Sequence, residues 1–394
     1  MRTAIVGGGA AGFFLAINLK EMLPAMEVTI LERSQRVLAK VEVSGGGRCN
    51  CTNSFSSVTD LSQVYPRGHR LLKRLFRVFD QRDAYAWFER HGVRLVTQDD
   101  DCVFPASQDS HTIINCFLAE ARRQHINICT GVRVDDVASL MSQYDFVCVC
   151  TGGSPRSEGL RWLADTGHAI EPPVPSLFTL SIADEALHQL MGTVIEGAQV
   201  AISGTKLRSE GPLLITHWGF SGPAVLKLSS YGARHLADNG YQVPLAVNWT
   251  GQREPEVLQA LQQLIAENPQ KQLPSVRPCG LPSRLWDYLL AKTLGERATN
   301  RWQNLNQKEL NRLVNVLTND VYQTAGRAVF KDEFVTCGGV SLASVNPSTL
   351  ESRHVPHLFF AGEVLDIDGV TGGFNFQAAW TTAYTVAQSI CAKS

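Results

Sequence analysis

Residues 3–33, TAIVGGGAAGFFLAINLKEMLPAMEVTILER, constrain this chain more than any other stretch. Ala4-Ile5-Val6 is a short apolar run that reads as a buried strand. Gly7-Gly8-Gly9-Ala10-Ala11-Gly12 follows and fits the G-x-G-x-x-G spacing. Phe14, Leu15, Leu19 and Met22 then recur at helical intervals, and Val28-Thr29-Ile30-Leu31 reads as a second strand that delivers Glu32. Each part has a physical role in binding a dinucleotide. Gly7 permits the tight turn, Gly9 lets the backbone approach a pyrophosphate, and Gly12 lets helix and strand pack closely. The helix start at Ala10 and Ala11 offers unpaired amides and a partial positive charge to that pyrophosphate. Glu32, followed by Arg33, stands where a carboxylate can take both hydroxyls of an adenosine ribose.

The 394 residues are 44% hydrophobic, enough for one large domain with a smaller one inserted. The formal net charge of −1 means that bulk electrostatics favour neither nucleic acid nor a membrane surface. Met1-Arg2 runs directly into the first strand, so a secretory signal is not expected, and no uncharged apolar run is long enough to span a bilayer. The ten cysteines form no paired C-x-x-C sets, so no metal site is expected. Reduced thiols and a cytoplasmic location are the corresponding expectation. Cys148 and Cys150, in an apolar strand, read as core residues.

After Glu32 comes a loop over residues 40–53, KVEVSGGGRCNCTN, beginning at Lys40. Gly45, Gly46 and Gly47 make a backbone that can lie flat against a planar ligand, and Ser44, Arg48 and Asn50 supply donors. The spacing predicts a helix over 69–80. Leu72, Leu75, Phe76 and Phe79 share one face; Arg70, Lys73, Arg74 and Arg77 lie on the opposite one. That basic face reads either as a solvated surface or as a phosphate-binding face for RNA or a nicotinamide dinucleotide phosphate. Further helices are expected at 82–91 and 110–124 and a strand at 126–129. Backbone groups around Val134 could meet an adenine edge. A buried strand over 144–151 ends in Thr151-Gly152-Gly153, at the strand end where open α/β sheets place ligands.

Glu171-Pro172-Pro173-Val174-Pro175 marks a boundary, because prolines at this density continue neither a helix nor a central strand. Residues 177–215 look like short strands, and 221–236, 254–267, 284–294 and 306–318 look helical. The expected division is a discontinuous domain over 1–175 and 338–394, with 176–337 as an inserted β-barrel plus helical group. Within the insert, Thr216-His217-Trp218-Gly219-Phe220-Ser221-Gly222-Pro223 is a compact turn before a helix, with Ser221 a cap candidate. His217 reads as a structural turn residue or as one facing a substrate. Near the end, a strand at 357–360 leads into Ala361-Gly362-Glu363, and Gly372-Gly373-Phe374-Asn375-Phe376 opens a helix over 376–391. A strand ending in glycine and an acid suits a polyol chain. A glycine pair opening a helix directs amides at one spot, which stabilises the charge of a reduced flavin.

The two ends together specify FAD, stretched from Glu32 to the neighbourhood of Gly373. At this point the chain resembles the YhiN/BaiN-like flavoprotein family. The resemblance is carried by GGGAAG at 7–12, SGGGRCNCTN at 44–53, THWGFSGPAVLKLS at 216–229 and CGGVSLASVNPSTLESRHVPHLFFAGEVLDIDGVTGGFNFQAAW at 337–380. It implies a glutathione-reductase-like Rossmann FAD-binding α/β domain, interrupted by a barrel-and-helix insert that covers the flavin. Two departures stand out: residues 135–144 are short for the family, and only Ser154-Pro155-Arg156-Ser157-Glu158-Gly159 remains of its usual longer loop.

Flavin N5 moves hydride equivalents. Ser44, Gly46, Arg48, Asn50, Gly373 and Asn375 are expected to hold the ring, and Cys49 and His217 are the candidates for proton transfer. Cys49 reads equally as a packing residue. No second dinucleotide fingerprint is present, so NADPH or NADH would visit the flavin transiently, or the substrate itself would reduce it and oxygen take the electrons. The activities to weigh are an NAD(P)H-dependent reductase of a conjugated carbon–carbon double bond, an oxygen-dependent amine or aminoketone oxidase, and an RNA-binding flavoprotein that reduces uridine in ribosomal RNA.

Overall fold

The computed structural model describes residues 1–328 and 335–394. The chain divides into two compact units, Met1–Pro175 with Val335–Ser394, and Ser176–Phe334. The first unit is built on a five-stranded parallel sheet in the order Leu358–Phe360, Phe146–Val149, Arg2–Val6, Glu27–Glu32, Asn127–Thr130. The first strand is central, so the turn after Val6 opens at the carboxyl edge of the sheet, where doubly wound folds bind ligands.

The first helix, Ala10–Met22, is buried on every side from Ala11 to Leu19. A helix apolar all round must be covered all round. One cover is the sheet, and the other is the C-terminal helix, Phe374–Cys391. Between them lies an aromatic cluster. The Phe14 ring centroid is 4.6 Å from Trp87, 5.5 Å from Phe79 and 5.0 Å from Trp380, and Phe88 and Phe117 lie 5.6 and 5.7 Å from Trp380. Such rings combine large apolar burial with favourable tilted contacts. The buried polar row of the C-terminal helix is satisfied locally. Thr382, Thr385 and Ser389 return their hydroxyls to carbonyls four residues back.

Several elements differ from the sequence expectation. Residues 40–53 are not all loop: a helix is assigned over Ala39–Gly47, although Ser44, Gly45 and Gly46 leave helical geometry. The helix expected over 69–80 ends at Leu75. Phe79 is nevertheless buried, reached by turns after the helix. The C-terminal helix begins at Phe374, two residues early. The proline-rich boundary is itself a strand, Ile170–Ser176, which among the described residues pairs with Val335–Val340 in a two-stranded sheet. Prolines are confined to edge strands, and a two-stranded sheet has no central strand. A small antiparallel sheet of Thr52–Asn53, Cys102–Pro105 and Leu95–Thr97 was not expected, because its strands are two to four residues long. The short 135–144 segment holds a five-residue helix, Val137–Met141.

The second unit contains a closed six-stranded barrel. Its order is Val194–Ile202, Arg208–Ile215, Gly219–Ser221, Leu180–Ile182, Asp320–Arg327, Pro244–Asn248. Helices Glu254–Glu267, Ser283–Leu294 and Gln307–Thr318 share its apolar core. The expected single helix over 221–236 is two, Pro223–Tyr231 and Ala233–Asp238, separated at Gly232. Ser221 is not the cap. Gly222, with φ of +86°, caps instead, and Pro223 takes the first helical position. Buried Asp320 is satisfied by Lys292 Nζ (2.6 Å), Trp249 Nε1 (3.1 Å) and the Tyr322 hydroxyl (2.5 Å). Three donors offset the desolvation of that carboxylate.

His91 joins three helices of the first unit. Its Nδ1 lies 2.7 Å from the Trp87 carbonyl and its Nε2 2.8 Å from Glu21 Oε1. The Trp87 carbonyl and the Glu21 carboxylate are both acceptors, so this pairing favours the protonated ring, in which both nitrogens donate. Burial alone would push the ring pKa down. The Glu21 hydrogen bond, the Trp87 carbonyl and the charges of Glu21 and Glu120 outweigh it and leave the pKa raised. Glu21, His91 and Glu120 also form the one group of described residues with ligand atoms close enough for a cation, within 4.8 Å of one another. A raised folded-state pKa stabilises the fold below the ordinary histidine pKa of about 6.5 and loses that contribution as pH rises through the folded value. The urea midpoint is therefore expected to fall between pH 6 and pH 8, and to fall less in E21Q, as measured by circular dichroism.

Candidate cofactor-binding site

The fingerprint turn behaves as its residues dictate. Gly7 has φ of +115°, and a Cβ there would sit 2.4 Å from the Cys150 carbonyl oxygen. A Cβ on Gly12 would lie 2.0 Å from the Gly7 oxygen. Gly9 is different. Its φ is −94°, which any residue adopts, and no protein atom lies within 4 Å of a Cβ built there. Neither strain nor packing requires glycine at this N-cap, and the space above it is open. The first intrahelical donor is Phe13 N, to Gly9 O at 3.1 Å, so the amides of Ala10, Ala11 and Gly12 precede the ladder.

Glu32, the acid expected at the ribose, is held in place by its neighbours. Oε2 accepts from Gly8 N at 2.7 Å, and Oε1 accepts from the Ser34 amide and hydroxyl, each at 2.8 Å. Beside it opens a cavity of about 450 Å³, which brings together seven expected residues: Gly7, Glu32, Arg33, Val134, Thr151, Gly152 and Gly153. Lys40 reaches Glu363 Oε2 at 3.2 Å, and Glu363 Oε1 accepts from Thr336 N at 2.8 Å. Gly153 packs against this pair: a Cβ would sit 2.4 Å from Thr336 Oγ1 and 2.7 Å from Glu363 Oε1. Gly362, with φ of +78°, lets the strand end approach the first helix, since a Cβ there would be 2.8 Å from Ala11 Cβ.

The start of the C-terminal helix forms the other end. Gln377 N to Gly373 O, 3.0 Å, is its first intrahelical bond, so the amides of Phe374, Asn375 and Phe376 precede it. With its amide oriented to satisfy both ends, Asn50 donates to Thr52 O (2.8 Å) and Val103 O (3.2 Å) and accepts from Gly373 N (3.2 Å). Asn53 Nδ2 donates to Gly372 O (3.0 Å), and the Tyr65 hydroxyl donates to Phe374 O (2.8 Å). Asn375 closes the preceding turn on itself, through Gly369 N (2.8 Å) and Gly369 O (2.9 Å). Its side chain is therefore committed to the backbone, and its amide is what faces outward from the helix end. Arg67 and fully buried Asp368 form a bidentate ion pair beside this turn. Burial opposes the Arg67 charge, but the Asp368 partner outweighs it and raises the pKa.

Gly45, Gly46 and Gly47 have φ of 56°, 68° and 83°, in the left-handed region that glycine reaches without strain. Ser44 spends its hydroxyl on Val41 O (2.7 Å). Arg48 lies over the Phe104 ring at 4.2 Å and donates to Gln108 Oε1 (3.3 Å). Cys49 is fully buried with φ of +60°, a strained geometry outside glycine. Burial pushes its thiol up to about 12, with the Ser44 hydroxyl pulling the other way. His217 belongs to the second unit, exposed on the Thr216–Gly219 turn, with its ring 4.8 Å from that of Trp218. Sequence reasoning missed Thr52, Asn53, Tyr65, Arg67 and Thr336. The THWGFSGP and glycine signals drew attention elsewhere, and these residues reach the site only through long-range pairing.

A profile of the HI0933-like protein Rossmann domain matches residues 1–389. The chain belongs to the HI0933-like family. Among characterised relatives, a 3-dehydro-bile acid delta(4,6)-reductase of Clostridium scindens is 26% identical over 97% of both chains. A ribosomal RNA dihydrouridine synthase of Escherichia coli is also 26% identical, over 98% of this chain and 97% of its own. Of solved structures, a quinol-fumarate reductase superposes with a TM-score of 0.48 at 11% identity, covering all of this chain and 72% of its own. A 3-ketosteroid delta1-dehydrogenase of Sterolibacterium denitrificans gives 0.47 at 10% identity, covering 100% and 99%. The HI0933-like protein described here is an FAD-dependent oxidoreductase with a Rossmann-type FAD-binding fold. Among the described residues no helix is long and apolar enough to cross a membrane.

The two glycines separate binding from folding. G9A is expected to fold within about 0.5 kcal/mol of the parent while binding FAD about tenfold or more weakly. G12A is expected to lose about 2–3 kcal/mol through overpacking. Urea titration and FAD titration of the stripped proteins measure the two effects.

Proposed function

We propose that this protein is a reductase of a carbon–carbon double bond conjugated to a carbonyl, with NADPH or NADH as the electron donor. The observation that carries it is the start of the C-terminal helix. Three leading amides, those of Phe374, Asn375 and Phe376, follow a turn held by Asn50 at Gly373 N, Asn53 at Gly372 O and Tyr65 at Phe374 O, and their partial positive charge suits the negative charge of a reduced flavin. The relatives support the reading. A delta(4,6)-reductase and a dihydrouridine synthase are both named for saturating a ring double bond next to a carbonyl. FAD, when bound, supplies two-electron hydride chemistry. The chain's own work is to hold Glu32 to the ribose, to keep Lys40 and Glu363 paired beside the strand end, and to supply a proton. In the net reaction the donor's hydride and one solvent-derived proton add across the double bond.

Cys49 and His217 remain the proton-donor candidates. Cys49 is protonated at neutral pH, and His217 is exposed to solvent. Mixing the FAD-loaded protein with NADPH or NADH under nitrogen is expected to bleach the flavin absorbance, and a conjugated enone to restore it. Absence of bleaching by either nucleotide, together with bleaching by an amine and oxygen uptake, would show an oxidase instead.

A second reading has an observation of its own. Arg70, Lys73, Arg74 and Arg77 are all exposed on and just after the His69–Leu75 helix, and a relative acts on ribosomal RNA by name. RNA is then the substrate that carries the double bond. Four neutralised phosphates correspond to a slope of about −3 in log affinity against log salt for single-stranded RNA. Changing the four to Glu is expected to remove that slope in filter binding; no binding of the parent protein at low salt would end this reading.

A further inference from the structure

We propose that Trp162 stacks on the adenine of the bound cofactor, making residues 153–165 the adenine-side wall of the site; the inference rests on the FAD reading above. The cavity of about 450 Å³ lies in the first unit, and Glu32 marks where the ribose belongs. Trp162 is the one aromatic ring among the residues that line this cavity. It is half-buried, and its indole N–H donates to Gly159 O at 3.1 Å, so its polar edge is satisfied and its orientation is set within the wall.

The wall is anchored rather than loose. Leu163, next in sequence, is fully buried. Its carbonyl accepts from the Thr166 hydroxyl (2.7 Å) and from His168 Nδ1 (3.1 Å), and His168 Nε2 meets Ser352 Oγ at 2.7 Å. That chain of bonds ties the Arg161–Ala164 helix to the C-terminal part of the same unit. Val132 also lines the cavity, and its amide donates to the Glu32 carbonyl at 2.9 Å. It is a large apolar side chain left 37% exposed beside the ribose acid. An indole face and an apolar valine in one cavity suit a flat, π-rich base, and a satisfied indole N–H leaves the ring face as the surface on offer. Stacking is also indifferent to the base edge, which leaves backbone groups at Val132 and Val134 to read it.

The test compares the full-length protein, W162F and W162A, each stripped of FAD and titrated with FAD and separately with ADP, which carries the adenosine half alone. One base–aromatic stack is worth about a tenfold change in affinity. W162A is expected to bind both FAD and ADP about tenfold more weakly, and W162F less so. ADP is expected to quench indole emission in the parent but not in W162F. If W162A, with unchanged circular dichroism, binds both ligands as tightly as the parent, or if ADP quenches W162F as it does the parent, the proposal is wrong while the FAD reading stands. If the parent takes up neither FAD nor ADP, the FAD reading fails and takes this proposal with it.

Discussion

The site depends on one packing contact, that of the first helix against the last. Ala10–Met22 is apolar on all sides, so it cannot rest on the sheet alone. The C-terminal helix supplies the second cover, and Phe14, Trp87, Phe88, Phe117 and Trp380 fill the space between. Residues more than 350 positions apart in a chain of 394 thereby become neighbours. The same contact brings the strand end at Gly362 against Ala11, close enough that only glycine fits. Two helix starts and one glycine turn are thus set by a single apolar cluster, which is dense and hard to deform.

Within each unit, carboxylates taken from water meet donors. In the first unit Glu363 stands between Lys40 and the Thr336 amide and Asp368 holds Arg67 in a bidentate grip; in the second, Asp320 accepts from three donors. Removing a charge from water is costly unless its partners are already in place. In the first unit these pairs join residues from opposite ends of the sequence, so polar satisfaction and chain closure are the same event. Gly372 and Gly373 sit among backbone acceptors, with Asn50, Asn53 and Tyr65 tying the chain after residue 44 to the start of the C-terminal helix. The site is therefore rigid where a cofactor would be held, which is the condition for electrostatic preorganisation.

Much of this was legible beforehand. The strand, glycine turn, helix and Glu32 follow from local chemistry, since the turn needs glycine and the helix needs apolar spacing. The barrel-and-helix character of the insert was legible in the same way, from turn residues between short apolar runs and from four stretches with helical spacing. What failed was of two kinds. Very short strands, such as Thr52–Asn53, carry no periodicity to detect, and the Ile170–Ser176 strand forms despite its own prolines, in a two-stranded sheet with no central strand. Side-chain roles needed the fold as well: the Asn375 side chain closes the Gly369 turn, and Ser221 yields its capping place to Gly222.

The sequence by itself determined where the fingerprint glycines stand, where the periodic helices run, and that a strand, glycine turn, helix and strand end in an acid at Glu32. Those properties arise within a few residues, where backbone sterics and side-chain period act. Only the tertiary structure decided that Asn50 meets Gly373, that Thr336 meets Glu363, and that Trp162 and Val132 line one cavity with Glu32. Each of these joins segments whose separation along the chain carries no local signal, and each exists because burying an apolar surface forced its polar neighbours to find partners in three dimensions.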